Sequence, residues 1–360
     1  MFNSKKKALF VDYSEFSILA ARTSGSSAPM QIEAICELPV STDQSGPELF
    51  ENFFDFGGNR YAQAICGVYP PSRFLHVHEF ETAAKAKDPK NLAAVLKDKY
   101  KVDPDASNVD VLSAANGTSF DFKTGTEKEV LFCGAPVADF QRSQDALLKL
   151  GVYPSRLELG SVSTIGAVTD FAQYDNIRGP ILFFELKSNG ALITVLNKGG
   201  VEDTRLISSG LDSIFPLLQA ELGLKDESSA RRIFFSNTFD FAEMGPKLLR
   251  NIIRELQASI GAYEVKTGQM IEHIFVSLLP KNLTWISRTL SAILGVNPLR
   301  VEYARWLSHL GVEVGDAVDL SNLGSRWLGL FSLMGQYENQ IITPREQQTE
   351  HKNDPAPVAN

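Results

Sequence analysis

The chain has 360 residues, is 44% hydrophobic and carries a formal net charge of −8. This length and apolar content suffice for two domains with substantial cores. A generic nucleic-acid-binding protein normally presents a basic face, so the acidic balance argues against that class of function. The cysteines are odd in number, widely spaced and without a C-x-x-C pair, which predicts reduced thiols; they are Cys36, Cys66 and Cys133.

The sequence gives no sign of a targeting or membrane-spanning segment. No stretch approaches the roughly 18 uninterrupted apolar residues that a spanning helix needs. The short apolar run after Lys7 contains Asp12 and Glu15, so it does not match a signal peptide. We therefore expect a cytoplasmic protein, and any membrane role must come through a partner.

The first predicted element is a β-hairpin near the amino terminus. An apolar run at 8–11 leads into Asp12-Tyr13-Ser14-Glu15, and a second apolar run at 16–21 follows at once. A buried strand, an acidic residue, a small polar turn and a second strand are typical of a hairpin. Strands are then predicted at 31–38 and 62–69, with a short helix at 47–56 between them.

Residues 74–150 have a different pattern and predict a small α+β insert. Alternating apolar residues predict three strands, at 74–78, 109–113 and 129–133, and amphipathic patterns predict two helices, at 91–100 and 137–150. Gly151 would cap the second helix. A helix rich in small residues is predicted at 157–174.

The hairpin pattern returns in the second half of the chain. After Gly179-Pro180, an apolar run at 181–184 leads into the turn 185–190, and another apolar run follows at 191–196. Two hairpins, one opening each half, are typical of actin-like nucleotide-binding proteins, in which the two turns face each other across a cleft. The predicted fold is therefore α/β, with a duplicated ribonuclease H-like core in two lobes.

The rest of the second half continues with alternating strands and helices. Strands are predicted at 201–207 and 271–277, and an extended segment at 299–303. Helices are predicted from 210 for about a dozen residues and at 226–232, 243–265, 282–294 and 323–337. Beyond Pro344 apolar residues are scarce, which predicts disorder.

Three stretches carry a family resemblance. They are Glu129–Pro136 with the following helix and 152–158, the helix 248–263 centred on Arg254-Glu255-Leu256, and the closing segment 326–333. Their order and spacing resemble the PilM family of actin-like type IV pilus assembly proteins, relatives of FtsA. The resemblance covers about residues 7–337.

The resemblance implies a division of the chain into subdomains. Residues 1–73 and 151–178 would form subdomain 1A, and 74–150 would form subdomain 1C. The second lobe would span 179–325, with subdomain 2B inserted at about 211–267. Residues 326–343 would return to subdomain 1A, and 344–360 would be a tail.

A residual nucleotide cleft is predicted between the two hairpin turns. An actin-like site offers backbone N–H groups to the phosphates and an acid from each hairpin to magnesium. The candidate residues are Asp12, Ser14, Ser17, Glu185, Lys187, Asn189, Gly190 and Gly210. Gly210 precedes a predicted helix whose amino terminus could take an anion.

These turns depart from the family pattern in ways that oppose nucleotide binding. Ser14 stands where the family prefers glycine, and Glu15 adds negative charge where phosphates would approach. After strand 274–277 the family has a Gly-Gly turn that lets the backbone approach the adenine. This chain has Leu278-Leu279-Pro280-Lys281 there, without glycine and with one N–H fewer. We therefore expect no cofactor, with ATP and magnesium left open as ligands.

Other chemistry finds little support. His76-x-His78 would place two imidazoles on one face of a strand, but no third ligand is evident, so no metal site is predicted. No G-x-S-x-G, H-E-x-x-H or Walker A sequence occurs, and no catalytic residue is assigned.

The resemblance also implies a partner. PilM proteins bind the cytoplasmic amino-terminal tail of the inner-membrane protein PilN in a groove between subdomains 1A and 1C. Carried over, this predicts partner-binding residues near Phe74, His76, Val77, Phe132 and Val137. Pilus motor ATPases and self-association are further expected contacts.

The function that the sequence predicts is a cytoplasmic scaffold of a type IV pilus or type II secretion-like assembly platform, with a degenerate nucleotide site. Two alternatives stay open: an active actin-like ATPase that polymerises, and a small-molecule kinase of the same superfamily.

Overall fold

A computed structural model describes residues 7–40, 53–54, 58, 60–236 and 238–335. Its strands are β1 Ala8–Tyr13, β2 Ser17–Thr23, β3 Met30–Pro39, β4 Ala62–Val68, β5 Phe74–Glu79, β6 Ser107–Ser113, β7 Glu129–Pro136, β8 Val152–Leu159, β9 Ile181–Leu186, β10 Ala191–Asn197, β11 Gly200–Ile207, β12 His273–Ser277, β13 Asn297–Pro298 and β14 Val312–Val314. Its helices are α1 Ala83–Lys87, α2 Pro89–Asp98, α3 Val137–Lys149, α4 Gly160–Tyr174, α5 Phe215–Leu222, α6 Glu227–Phe234, α7 Gly245–Leu248, α8 Arg250–Thr267, α9 Thr284–Leu294, α10 Tyr303–His309 and α11 Trp327–Ser332. Short 3₁₀ helices occur at Leu211–Ile214 and Lys281–Leu283.

The two large sheets repeat one arrangement of strands. In the first sheet the order is β14-β3-β2-β1-β4-β8, and in the second it is β11-β10-β9-β12-β13. In each, three antiparallel strands follow one another and two parallel strands extend the sheet beyond the first strand of the hairpin. The duplicated, two-lobed actin-like fold predicted from the two hairpins is confirmed.

The packing explains why the second hairpin has so few polar residues. Every residue of β9 and β10 is buried, which is typical of strands covered on both faces. Helices α4 and α11 pack in one apolar cluster that contains residues of both sheets, including Phe10, Phe183 and Phe331. This shared core joins the two lobes.

The insert is a three-stranded sheet in the order β5-β7-β6. Because side chains alternate between the faces of a strand, Phe74 and Phe132 pack against Leu92 and Leu96 of α2, in the insert's own core. The neighbouring residues of β7, such as Leu131, face the opposite way, toward the lobes. One face of this sheet therefore covers the insert's own core, and the other faces the lobes.

Helix α3 packs on the first lobe rather than on the insert alone. Its Leu147 and the adjoining Leu150 lie in an apolar cluster with residues of β1, β4 and β8. The predicted subdomain boundaries remain predictions, but this helix bridges the boundary drawn at residue 150.

Several predicted elements need correction. The helix predicted at 157–174 begins only at Gly160, because Val152–Leu159 forms strand β8 at the edge of the first sheet. An edge strand tolerates Pro154, whose missing N–H would disrupt a central strand. The helix predicted at 243–265 is two helices with Leu249 between them.

Near the carboxyl terminus the sequence analysis missed helix α10 and strand β14, which pairs with β3. The last helix is also shorter than the predicted 323–337. The predicted helix at 47–56, apart from 53–54, and the predicted disordered tail after Pro344 lie outside the described residues. Within the described ranges, no helix is both long enough and apolar enough to cross a membrane.

Candidate functional site

The two hairpins bring Asp12 and Glu185 to equivalent places in the two lobes. Asp12 lies near the end of β1 and Glu185 near the end of β9, and both are almost completely buried. Asp12 Oδ1 and Glu185 Oε2 have no hydrogen-bond partner among the residues that the structure describes. Burying a carboxylate oxygen without a partner costs free energy.

The first turn is closed on itself. The Ser14 hydroxyl oxygen accepts hydrogen bonds from the backbone N–H groups of Phe16 and Ser17, at 3.3 and 3.2 Å. The Ser14 backbone N–H and hydroxyl both donate to the Ser17 carbonyl. The backbone N–H groups of Ser14, Phe16 and Ser17 are therefore engaged within the turn.

The second turn is closed by the start of the following helical segment. The Leu211 and Asp212 N–H groups donate to the carbonyls of Lys187 and Ser188, at 3.0 and 2.8 Å. Gly210 permits this contact, since a Cβ there would lie 2.2 Å from the Gly190 nitrogen. The predicted anion-binding amides at this helical start therefore bind the turn instead.

The two turns also contact each other directly. The carboxylate of Glu15 accepts a hydrogen bond from the Ser188 backbone N–H at 3.0 Å. Lys187 is half-buried between the lobes, and Asn189 is exposed. Burial, reinforced by the neighbouring Arg73, lowers the pKa of the Lys187 ammonium, whereas Glu185 and Glu15 act in the opposite direction.

Arg73 joins the lobes through a buried ion pair that the sequence analysis missed. Its Nη2 and Nε atoms donate to Glu185 Oε1 at 2.5 and 2.9 Å. The same guanidinium donates to the Tyr69 and Pro70 carbonyls and to the Ser161 hydroxyl. All three nitrogens of the guanidinium are engaged in this way. Arg73 therefore supplies, from within the protein, the cation that pairs with Glu185.

Asp12 sits in a pocket built by small residues. A Cβ on Gly67 or Gly329 would approach its carboxylate oxygens to 2.8 or 2.9 Å, so these two glycines make room for it. Burial raises the pKa of Asp12 from 3.8 to about 8, and the charge of Glu185 adds to the increase. A hydrogen bond from Tyr69 acts in the opposite direction. At neutral pH Asp12 is therefore mainly protonated.

The turn after β12 keeps an unusual backbone without glycine. Leu278 has φ of +64°, in the left-handed region that glycine normally occupies, and its side chain is buried. The neighbouring Leu279 lies in the apolar core of the second lobe. A buried aliphatic side chain thus lies where the resemblance predicts an open glycine turn.

A large groove lies between the insert and the first lobe. It has a volume of about 1440 Å³. Its apolar lining comes from the lobe-facing side of the insert sheet, α3, α4 and α10, and includes Leu112, Leu131, Val137, Phe140, Val162 and Trp306. Gly199, Gly200 and Val201 of the second lobe form part of the same lining. The groove therefore contacts the insert and both lobes.

The predicted partner-binding residues lie on different sides of the insert. Val137 lines the groove. Phe74 and Phe132 belong to the insert core, and Phe132 stands between the groove-facing Leu131 and Cys133. Val77 faces the second lobe, where its N–H donates to the Thr204 hydroxyl. The alternation of apolar residues predicts that each insert strand has two faces. Which face lines the groove depends on where α2 packs, and the sequence alone does not show this.

The two histidines of the insert contact aromatic residues and do not form a metal site among the described residues. The His76 ring stacks on Tyr100 with centroids 4.1 Å apart. Burial, with Lys99 adding to it, lowers the pKa of His76 to about 4, so the ring is neutral at pH 7.

Arg73 and Tyr69 were not predicted as site residues. Their position in the sequence could have indicated them. They flank Pro70-Pro71, directly after β4, at the edge of the sheet where β1 also ends. Parallel strands β1 and β4 bring their carboxyl ends together, so this turn had to lie beside Asp12.

Comparison with known proteins identifies the fold. No family model and no curated protein matches the sequence. A solved PilM-PilN type IV pilus biogenesis complex is similar over 91% of this chain and 97% of that chain, with a TM-score of 0.65 and 14% identity. The chain has the actin-like fold of that protein, and the predicted resemblance to PilM is confirmed at the level of the fold.

Two further structures are similar at a lower level. The ethanolamine utilization protein EutJ from Carboxydothermus hydrogenoformans is 14% identical, covers 92% of this chain and 90% of its own, and has a TM-score of 0.45. A Bacteroides thetaiotaomicron protein with an actin-like ATPase fold and unknown function is 9% identical, covers 93% and 98%, and has a TM-score of 0.42.

Proposed function

We propose that this chain is a scaffold protein of a type IV pilus or type II secretion-like assembly platform. In this proposal it binds the amino-terminal cytoplasmic tail of a PilN-like inner-membrane protein, and it is held at the cytoplasmic face of that membrane by this partner. The observation that carries the proposal is the 1440 Å³ groove between the insert and the first lobe. It supports the proposal because it lies between the parts predicted to be subdomains 1A and 1C.

The groove has the properties that an extended peptide needs. Half-buried apolar side chains such as Leu112, Val137 and Phe140 can receive the partner's apolar side chains, at roughly 25 cal/mol per Å² buried before ordering costs. β6 is an edge strand, so part of its backbone can pair with an added segment.

The charges around the groove favour a particular tail. The carboxylates of Asp110, Glu158 and Asp170 line it, and Arg156 is the one Lys or Arg among the described lining residues. Arg156 is paired with Glu158 at 2.8 Å. A cationic tail with a few apolar anchors therefore complements this groove better than an acidic tail.

The same proposal includes a degenerate nucleotide site. The closed turns and the Arg73–Glu185 ion pair support it, because phosphate oxygens and magnesium would have to displace bonds within the protein. The residues present do not fit a nucleotide, so no hydrolytic step is proposed for Asp12 or Glu185. Contacts with pilus motor ATPases and self-association remain further predictions.

Peptide binding is the direct test of the partner. Calorimetry with a synthetic peptide of the PilN-like tail is expected to give a micromolar dissociation constant with the full chain. Gly166→Leu, which places a bulky side chain on the groove face of α4, is expected to weaken binding by about tenfold or more. Leucine also has a higher helix propensity than glycine, so the variant should fold.

Gly261→Leu is the matched control, since Gly261 is also inside a helix and no neighbouring atom outside that helix's backbone lies within 4 Å of where a Cβ would stand. It should bind like the unaltered chain. Absence of peptide binding to the unaltered chain, or equal binding by both glycine variants, would contradict the proposed groove.

Nucleotide binding is tested separately. Titration with millimolar ATP and magnesium is expected to give no binding heat and no rise in thermal stability. Micromolar binding would instead support the ATPase alternative. Phosphoryl transfer to a small molecule would support the kinase alternative.

A further inference from the structure

The described chain ends at the groove. Ser332, the last residue of α11, and Gly335, three residues further on, are among the residues that line it. Arg156, another lining residue, donates from Nη2 to the Leu333 carbonyl at 2.9 Å. This bond fixes the end of the described chain beside the groove.

The sequence that follows has one short apolar segment close to this point. Tyr337, Ile341 and Ile342 lie within seven residues of Gly335, and polar residues, with Pro344, dominate from 343 to 354. Seven extended residues span up to about 23–25 Å. Ile341 and Ile342 are therefore within reach of apolar side chains lining the groove.

The groove offers surface that matches such a segment. Leu112, Val137, Phe140 and Val162 are half-buried, so each retains apolar area that a bound chain can cover. Covering it is favourable in proportion to its area. A segment already attached at the groove has a high effective concentration, which for short flexible linkers reaches the millimolar range.

We propose that residues 337–342 bind in this groove when no partner occupies it, with Ile341 and Ile342 as the apolar anchors. The tail of the partner must then displace a segment of the same chain. The inference rests on the proposed function for the identity of the competing partner. The segment acts as an intramolecular competitor. It lowers the apparent affinity for the partner's tail in proportion to the fraction of chains whose groove is free.

The test compares full-length chains in calorimetry with the synthetic PilN-like tail peptide. Ile341→Asp combined with Ile342→Asp should increase the affinity by about tenfold, because the competing segment loses its apolar anchors. The matched control is Val358→Asp combined with Ala359→Asp, which adds the same charges farther along the chain. It should bind like the unaltered chain.

A second measurement does not depend on the partner. A synthetic peptide of residues 336–345 should bind the Ile341→Asp, Ile342→Asp chain, and adding Gly166→Leu to that chain should weaken this binding by about tenfold. Failure of this peptide to bind, or an unchanged partner affinity in the isoleucine variant, would overturn the inference. Binding of the 336–345 peptide while the partner tail binds no form of the chain would overturn the proposed partner instead and leave the internal segment supported.

Discussion

At the scale of single residues, each hairpin carries one buried acid, and the two acids are held in different ways. Asp12 and Glu185 stand at equivalent ends of β1 and β9. Glu185 is neutralised by Arg73 at 2.5 Å, whereas Asp12 is accommodated by burial that favours its neutral form. One acid is paired and the other is protonated, and these are the two ordinary ways in which a protein tolerates a buried carboxylate.

Asp12 should make the stability of the protein depend on pH. Its pKa is about 8 in the folded protein and near 3.8 when unfolded, so between those values the folded state holds a proton that the unfolded state has released. The free energy of unfolding therefore falls as pH rises through this window. Asp12→Asn should be about as stable as the unaltered chain near pH 4 and more stable by about 3–5 kcal/mol at pH 8.

Urea denaturation at the two pH values measures this effect. Asp110→Asn is the control, because the side chain of Asp110 is exposed and should change stability little at either pH. Equal stabilities of Asp12→Asn and the unaltered chain at pH 8 would mean that Asp12 is ionised in the folded protein without penalty.

The sequence predicted the positions of these residues better than their interactions. Asp12 and Glu185 could be found because each follows a run of apolar residues. The role of Arg73 could not, because its partner Glu185 is 112 positions away and only the docking of the two lobes brings them together. Likewise, nothing in Ser14 itself shows that its hydroxyl would accept the amides of its own turn.

At the scale of elements, the hairpins were predictable, whereas β8 and β14, at the two edges of the first sheet, were not. β1, β2, β9 and β10 have long apolar runs with a polar turn between them, so their pattern specifies their structure. β8 contains Pro154 and several polar residues, and β14 has three residues, so pairing with β4 and β3 determines their conformation. Their strand structure is set by tertiary contacts that local patterns do not contain.

The contact between Gly210 and the second turn gives a test at this scale. A Cβ at Gly210 would lie 2.2–2.7 Å from backbone atoms of Gly190, Ser188 and Lys187, which cannot move without breaking the turn. Gly210→Ala should therefore lower the free energy of unfolding by about 1–3 kcal/mol.

Gly261→Ala is the control of opposite sign. The added methyl group meets no neighbouring atom within 4 Å outside the helix backbone, and replacing a glycine inside helix α8 should stabilise the protein by about 0.5–1 kcal/mol. Denaturant unfolding of both variants provides the comparison. A Gly210→Ala protein as stable as the unaltered chain would show that the turn can rearrange freely.

At the scale of the whole molecule, the lobes are joined in several separate places. The shared apolar core contains residues of both sheets, and Arg73 and Glu15 bridge the cleft with polar contacts. On the other side, the insert contacts β11 of the second lobe, where the Val201 N–H donates to the Ala114 carbonyl at 2.7 Å. These contacts favour a single relative position of the lobes.

The turn at Gly199 and Gly200 has a mechanical consequence. It belongs to the second lobe yet lines the groove, and Gly200 packs so closely on the Ala114 and Ala115 carbonyls that a methyl group would not fit. A peptide bound there would contact the insert and both lobes at once. Tension applied along such a peptide from the membrane would act on both lobes, so the contacts between the lobes would bear part of the force.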